Sequence, residues 1–174
     1  IILGSGCGGG LVINKKIVSG ANGLGGEWSL NQMPLKEIKS NIDNNVKFDF
    51  TQRIEGHLSG KSIEKNFNTL FKKKLTAKEI FSKYRDKDSD ASNFIISYKE
   101  NLARSLVIII TTIDPDAIVF GGGVSNEIDF LDELKSMSAK LLNEKSLKTV
   151  FLKPIYGDAS GVRGAALLGR QNLI

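Results

Sequence analysis

The spacing of apolar positions changes along this 174-residue chain, and each change marks an element. Ile1-Ile2-Leu3 is an abrupt apolar run that predicts the remnant of a buried strand, with a further segment expected before it. Leu11–Asn14 and Lys16–Ser19 flank Asn14-Lys15 in the manner of a β-hairpin. Pro34-Leu35-Lys36-Glu37 predicts the opening of a short helix, since proline suits a first helical turn. From Thr51 to about Lys73, Ile54, Leu58, Ile63, Phe67, Leu70 and Phe71 lie near helical spacing, with Gly60 as a break. Thr76-Ala77-Lys78-Glu79 has the form of a capping box and starts a helix to Tyr84. Ser89 or Asp90 starts a long helix with Phe94, Tyr98, Leu102, Leu106, Ile109, Ile110 and Ile113 on one stripe. Asp114-Pro115 ends it.

Ala117–Phe120 is apolar throughout, which predicts a short strand buried on both faces. Gly121–Gly123 and Val124–Asn126 follow, then a helix over Glu127–Leu142 and a strand at Val150–Leu152. Gly157–Ser160 reads as a turn and N-cap. The small, apolar stretch Gly161–Leu168 reads as a helix packed closely against a neighbour. No repeat or linker interrupts the chain, so one domain is expected.

Composition narrows the function classes. Hydrophobic residues make up 41% and charged residues 25%, which is globular. The longest apolar stretch, Leu106–Ile113, is far short of the ~20 residues that span a bilayer. With no secretory signal either, a cytoplasmic location and no membrane partner are expected. Cys7 is the only cysteine and His57 the only histidine, which excludes an internal disulfide, a four-thiolate zinc site and any two-histidine metal site. The net charge of +5 comes mostly from lysine. Lys72-Lys73-Lys74, with Lys61, Lys65 and Lys78, reads as a solvated helix face. Nucleic-acid binding is not expected without arginine and interleaved aromatics.

Glycine is concentrated towards the two ends of the chain. In Gly4-Ser5-Gly6-Cys7-Gly8-Gly9-Gly10, successive glycines let backbone N–H groups approach a phosphate, and Ser5 adds a hydroxyl. This is not a Walker loop, because no Lys-Ser/Thr follows, nor a dinucleotide fingerprint, because a hairpin stands where a helix should. Taken alone, it reads better as a structural turn than as a phosphate site. Gly121-Gly122-Gly123 before a helix offers a flat surface for an adenine or ribose, or simply a tight turn. Glu27, in a loop of small residues before Trp28, is placed to accept hydrogen bonds from a polyol or to lie on the surface. Glu55 is a second carboxylate, on a helix with His57 at its surface or at a site rim. Ser160 caps the last helix, and Arg163 reads as a structural partner of a carboxylate or carbonyl.

The order of the pieces is more specific than any one of them. With GSGCGGGLVIN, SGANGLGGEW, IEGHLSG, DPDAIVFGGGVSN and YGDASGVRGAALLG in succession, the chain resembles the ROK family of bacterial sugar kinases and related repressors. The glycine loop, the GEW triplet and the GDASGVRGAA ending resemble its fructokinase or manno(fructo)kinase branch. The resemblance implies an α/β fold of the two-lobed actin/hexokinase (ribonuclease H-like) type, a mixed sheet flanked by helices. Residues 1–174 would form the C-terminal lobe. It implies ATP with Mg2+ as cofactor, held by Gly4, Ser5, Gly6, Cys7, Gly8, Gly9 and Gly10 and by Gly121, Gly122 and Gly123. It implies a hexose substrate contacted by Glu27 and Glu55, with Asn22 and Gly23 beside them, and a homodimer.

Two departures qualify that expectation. Leu30 stands where the family has a zinc-binding histidine, and Asp43–Ile54 lacks the family's cysteines. No structural zinc is expected, and the loop is then either held by apolar packing of Phe48, Phe50 and Ile54 or left loose. The family's first phosphate loop and catalytic aspartate belong to an N-terminal lobe. None of Asp43, Asp49, Asp114, Asp116 or Asp158 lies in the matching context, so this chain alone is expected to be inactive. A sugar-sensing module of a repressor and a dead remnant of a split kinase are the alternatives.

Overall fold

A computed structural model describes residues 1–34 and 52–171. The helix expected at 35–37, and Phe48 and Phe50 of the cysteine-free stretch, lie outside the described residues.

The first strand, β1 (Ile2–Leu3), turns back on β2 (Cys7–Gly8) in antiparallel register, with Leu3 opposite Cys7. The hairpin β3 (Val12–Ile13) and β4 (Lys16–Ile17) follows as expected. Its two turn residues, Asn14 (φ 51°) and Lys15 (φ 63°), are both left-handed, the turn that matches strand twist. A single 3₁₀ turn, Trp28–Leu30, ends this half. Then come helices α1 (Glu55–Leu58), α2 (Gly60–Phe71), α3 (Ala77–Arg85) and α4 (Ser89–Ile113). The chain closes with β5 (Ala117–Val119), α5 (Gly123–Glu127), α6 (Leu131–Leu141), β6 (Val150–Leu152), a 3₁₀ turn at Gly157–Ala159, and α7 (Ser160–Gln171).

Strands distant in sequence share one layer. β5 and β6 pair in parallel, with Ile118 opposite Phe151. β1 lies alongside the end of β5 through a parallel bridge between Ile2 and Gly121. The Ile1 amine donates to Val119 O, Gly121 N to Ile1 O, and Leu3 N to Gly121 O, all within 2.9 Å. The order is therefore β2-β1-β5-β6, a mixed layer. The expectation that β5 is buried on both faces is corrected by this chain. Leu3, Ile118 and Phe120 face the core, whereas Ile2, Val119, Val150 and Leu152 are each more than 40% exposed.

The helices cover the inner face. Ser59, not Gly60, makes the break between α1 and α2: its backbone is extended (ψ 155°), its hydroxyl accepts from Ser62 N, and Gly60 is already helical. The capping box of α3 forms as written, Thr76 and Glu79 each accepting from the other's backbone N–H. α4 is capped by Asp88 and stopped by left-handed Asp114 (φ 46°). Its stripe buries Tyr98, Leu102, Leu106 and Ile110, with Phe94 and Ile109 partly covered. The helix expected over Glu127–Leu142 is α6 and starts only at Leu131, preceded by a separate short helix, α5, over Gly123–Glu127. Between them Ile128 and Phe130 turn into the core, and that burial outweighs continuous helix.

Lys99 is the one buried lysine among the described residues, 5% exposed within this core. Its Nζ donates to Glu133 Oε2 (2.5 Å) and Tyr84 Oη (2.8 Å) and lies 4.3 Å from the Phe130 ring centre. Burial works against its charge, but those two hydrogen bonds outweigh burial and hold its pKa above the usual lysine value.

α7 corrects two expectations. Gly161 and Gly164 face open space, and Val162 and Leu167 are exposed, so α7 is not closely packed among the described residues. Among the described residues the Arg163 guanidinium stacks 3.9 Å above the Tyr156 ring, where a carboxylate or carbonyl was expected. Among the described residues no helix is long and apolar enough to cross a membrane.

Candidate functional site

Glycine lets two stretches of backbone meet where side chains would hold them apart. Gly26 has φ +92°, and a Cβ there would sit 2.7 Å from Gly10 Cα. This contact lays the segment before Trp28 directly along the end of the glycine loop. Trp28 Nε1 then donates to Gly8 O (2.7 Å) and Ser29 Oγ to Cys7 O (2.7 Å). Both side chains are buried, so β2 is clamped from one side and the preceding residue, Glu27, is fixed beside it. The Glu27 carboxylate oxygens lie 4.0 Å from where a Cβ on Gly8 would stand. Trp28 was legible only as part of a motif. Ser29 carried no signal, because a serine that clamps a carbonyl looks like any surface serine.

Glu55 reaches the same strand from α1. Its Oε1 accepts from Cys7 N at 3.2 Å. Both carboxylates expected to contact sugar therefore flank the Gly6–Gly8 stretch. The Cys7 thiol beneath them is pushed up to about 12, first by burial and then by the Glu55 charge, so it stays protonated at neutral pH. Gly4 N donates to Gly6 O (2.9 Å), which leaves Ser5 exposed at the tip of the turn. Asn22 and Gly23 are exposed in the loop before Glu27, Gly23 with open space around it.

The second glycine cluster is adjacent. Gly122 has φ +89°, and a Cβ would fall 2.5 Å from Leu3 O, so only glycine lets the end of β5 pass under β1. Gly121 is committed to the same junction through both its N–H and its carbonyl, the latter also accepting from Ser125 Oγ at 2.6 Å. Gly123 alone of the three opens on free space, at the first residue of α5. Lys153 closes the far end of α5 by donating to Ser125 O (2.5 Å), and burial pulls its pKa down.

An open recess of about 680 Å3 runs from Ser5 and Gly6 past Glu55 and His57 to Lys61, Ser62, Lys65 and Asn66. It presents a turn with bare backbone, a carboxylate, hydroxyls and ammonium groups in one concavity. That mixture suits a polyol beside an anion better than an apolar ligand. No group of three or more His, Cys, Asp or Glu that could hold a metal occurs among the described residues.

The model of the ROK family matches residues 1–172. An N-acetyl-D-glucosamine kinase from Histophilus somni is 37% identical over 175 residues, covering 97% of this chain and 57% of the relative. The ROK hexokinase from Thermus thermophilus superposes with a TM-score of 0.77 at 21% identity, over 95% of this chain and 54% of that one. A ROK family glucokinase from Streptomyces griseus, solved in complex with glucose and AMPPNP, gives 0.73 at 21% identity, over 98% and 59%. At those identities the likeness establishes the actin/hexokinase-like α/β fold. The chain spans little more than half the length of the proteins it matches.

Proposed function

This chain belongs to the ROK family, and from that premise we propose that it is the nucleotide- and sugar-binding lobe of an ATP-dependent hexose kinase. The observation that carries the proposal is the convergence on β2: the Gly4–Gly8 turn, Glu27 and Glu55 share one edge of the mixed layer. Two carboxylates at fixed positions accept hydrogen bonds from vicinal hydroxyls and orient one of them towards the turn. The exposed Ser5 tip offers donors to phosphate oxygens, and open space at Gly123 leaves room for a base or ribose. ATP, when bound, supplies the transferred phosphoryl group, with Mg2+ offsetting the charge of its phosphates. Among the described residues Glu55 is the one carboxylate lining the recess beside Ser5 and Gly6, and it is committed to Cys7 N. The proposal therefore gives the proton-accepting aspartate and the rest of the metal's surroundings to a second, N-terminal lobe. Support comes from the outward apolar face of Ile2, Val119, Val150 and Leu152, and from the uncovered Val162 and Leu167 of α7. Together these are a surface of the kind a lobe would cover. A homodimer and a soluble cytoplasmic enzyme complete the reading.

The sugar motifs resemble a fructokinase, whereas the named relative is an N-acetyl-D-glucosamine kinase at 37% identity. The second observation spans nearly the whole chain, so N-acetyl-D-glucosamine comes ahead of fructose. The test is sugar-dependent ADP release by the full-length protein over a panel holding both sugars, glucose, mannose and N-acetylmannosamine. Turnover of at least one is expected, with Glu27→Gln and Glu55→Gln each lowering kcat/KM for it by about 10²-fold or more. Residues 1–174 alone are expected to show none. No turnover on any member of the panel would overturn the activity.

A further inference from the structure

The lysines of the middle third look, in sequence, like one solvated helix face, but the fold sorts them. Lys73 pairs with Asp90 at 2.6 Å. Lys72, Lys74 and Lys78 lie off the recess. Lys61 and Lys65 are one helical turn apart on α2 and line the recess opposite Ser5 and Gly6. Neither carries an ion pair among the described residues.

We infer that Lys61 and Lys65 bind the phosphate chain of the nucleotide, as specificity-determining contacts supplied by α2 rather than by either glycine cluster. The inference rests on the nucleotide-binding reading above and deepens it. Three observations place these lysines on the site and hold them there. Gly60 N donates to Gly4 O at 2.7 Å, so the first turn of α2 is pinned against the glycine loop and the two cannot drift apart. The recess side of α2 is tied to α1: Ser62 Oγ donates to Glu55 O (2.9 Å), and Asn66 Nδ2 donates to Gly56 O (3.2 Å). The opposite side of α2, with Ile63 and Phe67 fully buried, fixes the helix's rotation and so aims Lys61 and Lys65 outward along the recess.

The chemistry follows from that placement. Two ammonium groups with no carboxylate partner among the described residues, sharing the recess with a serine at a bare turn, attract a multiply charged oxyanion. Their shared concavity with Glu55 puts the anion beside the polyol rather than on top of it. Glu55 repels any anion in the recess, so a ligand must engage both lysines to be held there, which favours a multiply charged phosphate chain over a single carboxylate. The side chains are flexible and exposed, so their contribution is to affinity and steering, and it is sensitive to salt.

The test uses the full-length protein and four probes: ATP, tripolyphosphate, adenosine and the hexose N-acetyl-D-glucosamine. Calorimetry is run on the wild type, on the double variant Lys61→Gln/Lys65→Gln, and on Lys72→Gln/Lys74→Gln, which removes equal charge off the recess. The expected result is at least tenfold weaker ATP and tripolyphosphate binding for the recess variant only, with a shallower salt dependence. Adenosine and hexose affinities should stay within twofold. Equal ATP affinity in wild type and recess variant, or an equal loss in the off-recess variant, overturns the inference while leaving the nucleotide reading intact. A wild type that binds neither ATP nor tripolyphosphate overturns that reading, and the inference with it.

Discussion

Cys7 illustrates how much one position can carry without reacting. Its backbone N–H holds Glu55, its carbonyl holds Ser29, and the residue is half-buried between these contacts. The folded thiol titrates near 12 and a free one near 9. Between those values the unfolded chain loses a proton that the folded chain keeps, so stability falls as pH rises through that window. The slope is at most about 1.4 kcal/mol per pH unit. Cys7→Ala should flatten it in urea titrations from pH 8 to 11, and native Cys7 should resist alkylation at pH 8. The glycines after β5 give a sharper contrast. Gly122→Ala meets both a left-handed backbone and Leu3 O at 2.5 Å, so about 2–4 kcal/mol of stability should be lost. Gly123→Ala, with nothing within 4 Å, should be close to neutral by the same denaturation measurement.

The helices divide into those specified locally and those specified by burial. α3 starts where its own sequence says, because Thr76 and Glu79 satisfy each other's backbone donors without outside help. Thr76→Ala should therefore cost about 1 kcal/mol in urea unfolding, with no change in the recess. α4 ends at Asp114 for an equally local reason, the left-handed residue before Pro115. The joint between α5 and α6 has no such local signal; Ile128 and Phe130 break the helix because the core accepts their side chains. Lys99 belongs to this second kind, joining α4 to Tyr84 on α3 and Glu133 on α6. Glu133 is half exposed and can return to water, so Lys99→Met, which keeps the buried stem, should cost about 1 kcal/mol or less. Lys99→Ala leaves a cavity and should cost about 2–3 kcal/mol. Thermal unfolding of the pair separates packing from charge.

Across the whole molecule, the mixed layer is dressed on one side only. Helices α1 to α6 and the core cover Leu3, Ile118, Phe120 and Phe151, while Ile2, Val119, Val150 and Leu152 line the outer side. A nearby hollow of about 550 Å3, lined by Val12, Ile13, Ile113, Pro115 and Val119, prolongs that apolar surface towards the hairpin. Residues 1–174 expressed alone are expected to bind an apolar dye such as ANS and to associate with rising concentration. Replacing Val119 and Leu152 by threonine should reduce both, with helix content by circular dichroism unchanged. Undiminished dye binding in that variant would place the exposed apolar surface elsewhere.

Period and punctuation in the chain were enough for the hairpin turn at Asn14-Lys15, the capping box at Thr76, the span of α4 and the succession of motifs that marks the family. Each of these is decided within a few residues or by their order. The sequence could not say that Glu27 and Glu55 flank β2, because they are 28 positions apart and brought there by the close backbone approach of Gly26 to Gly10 and by hydrogen bonds from Trp28, Ser29 and Cys7. Nor could it divide the lysines into those on the recess and those off it, or show that a strand of four apolar residues has a bare face. Burial is a property of what lies across the fold, and only the packed chain supplies that neighbour.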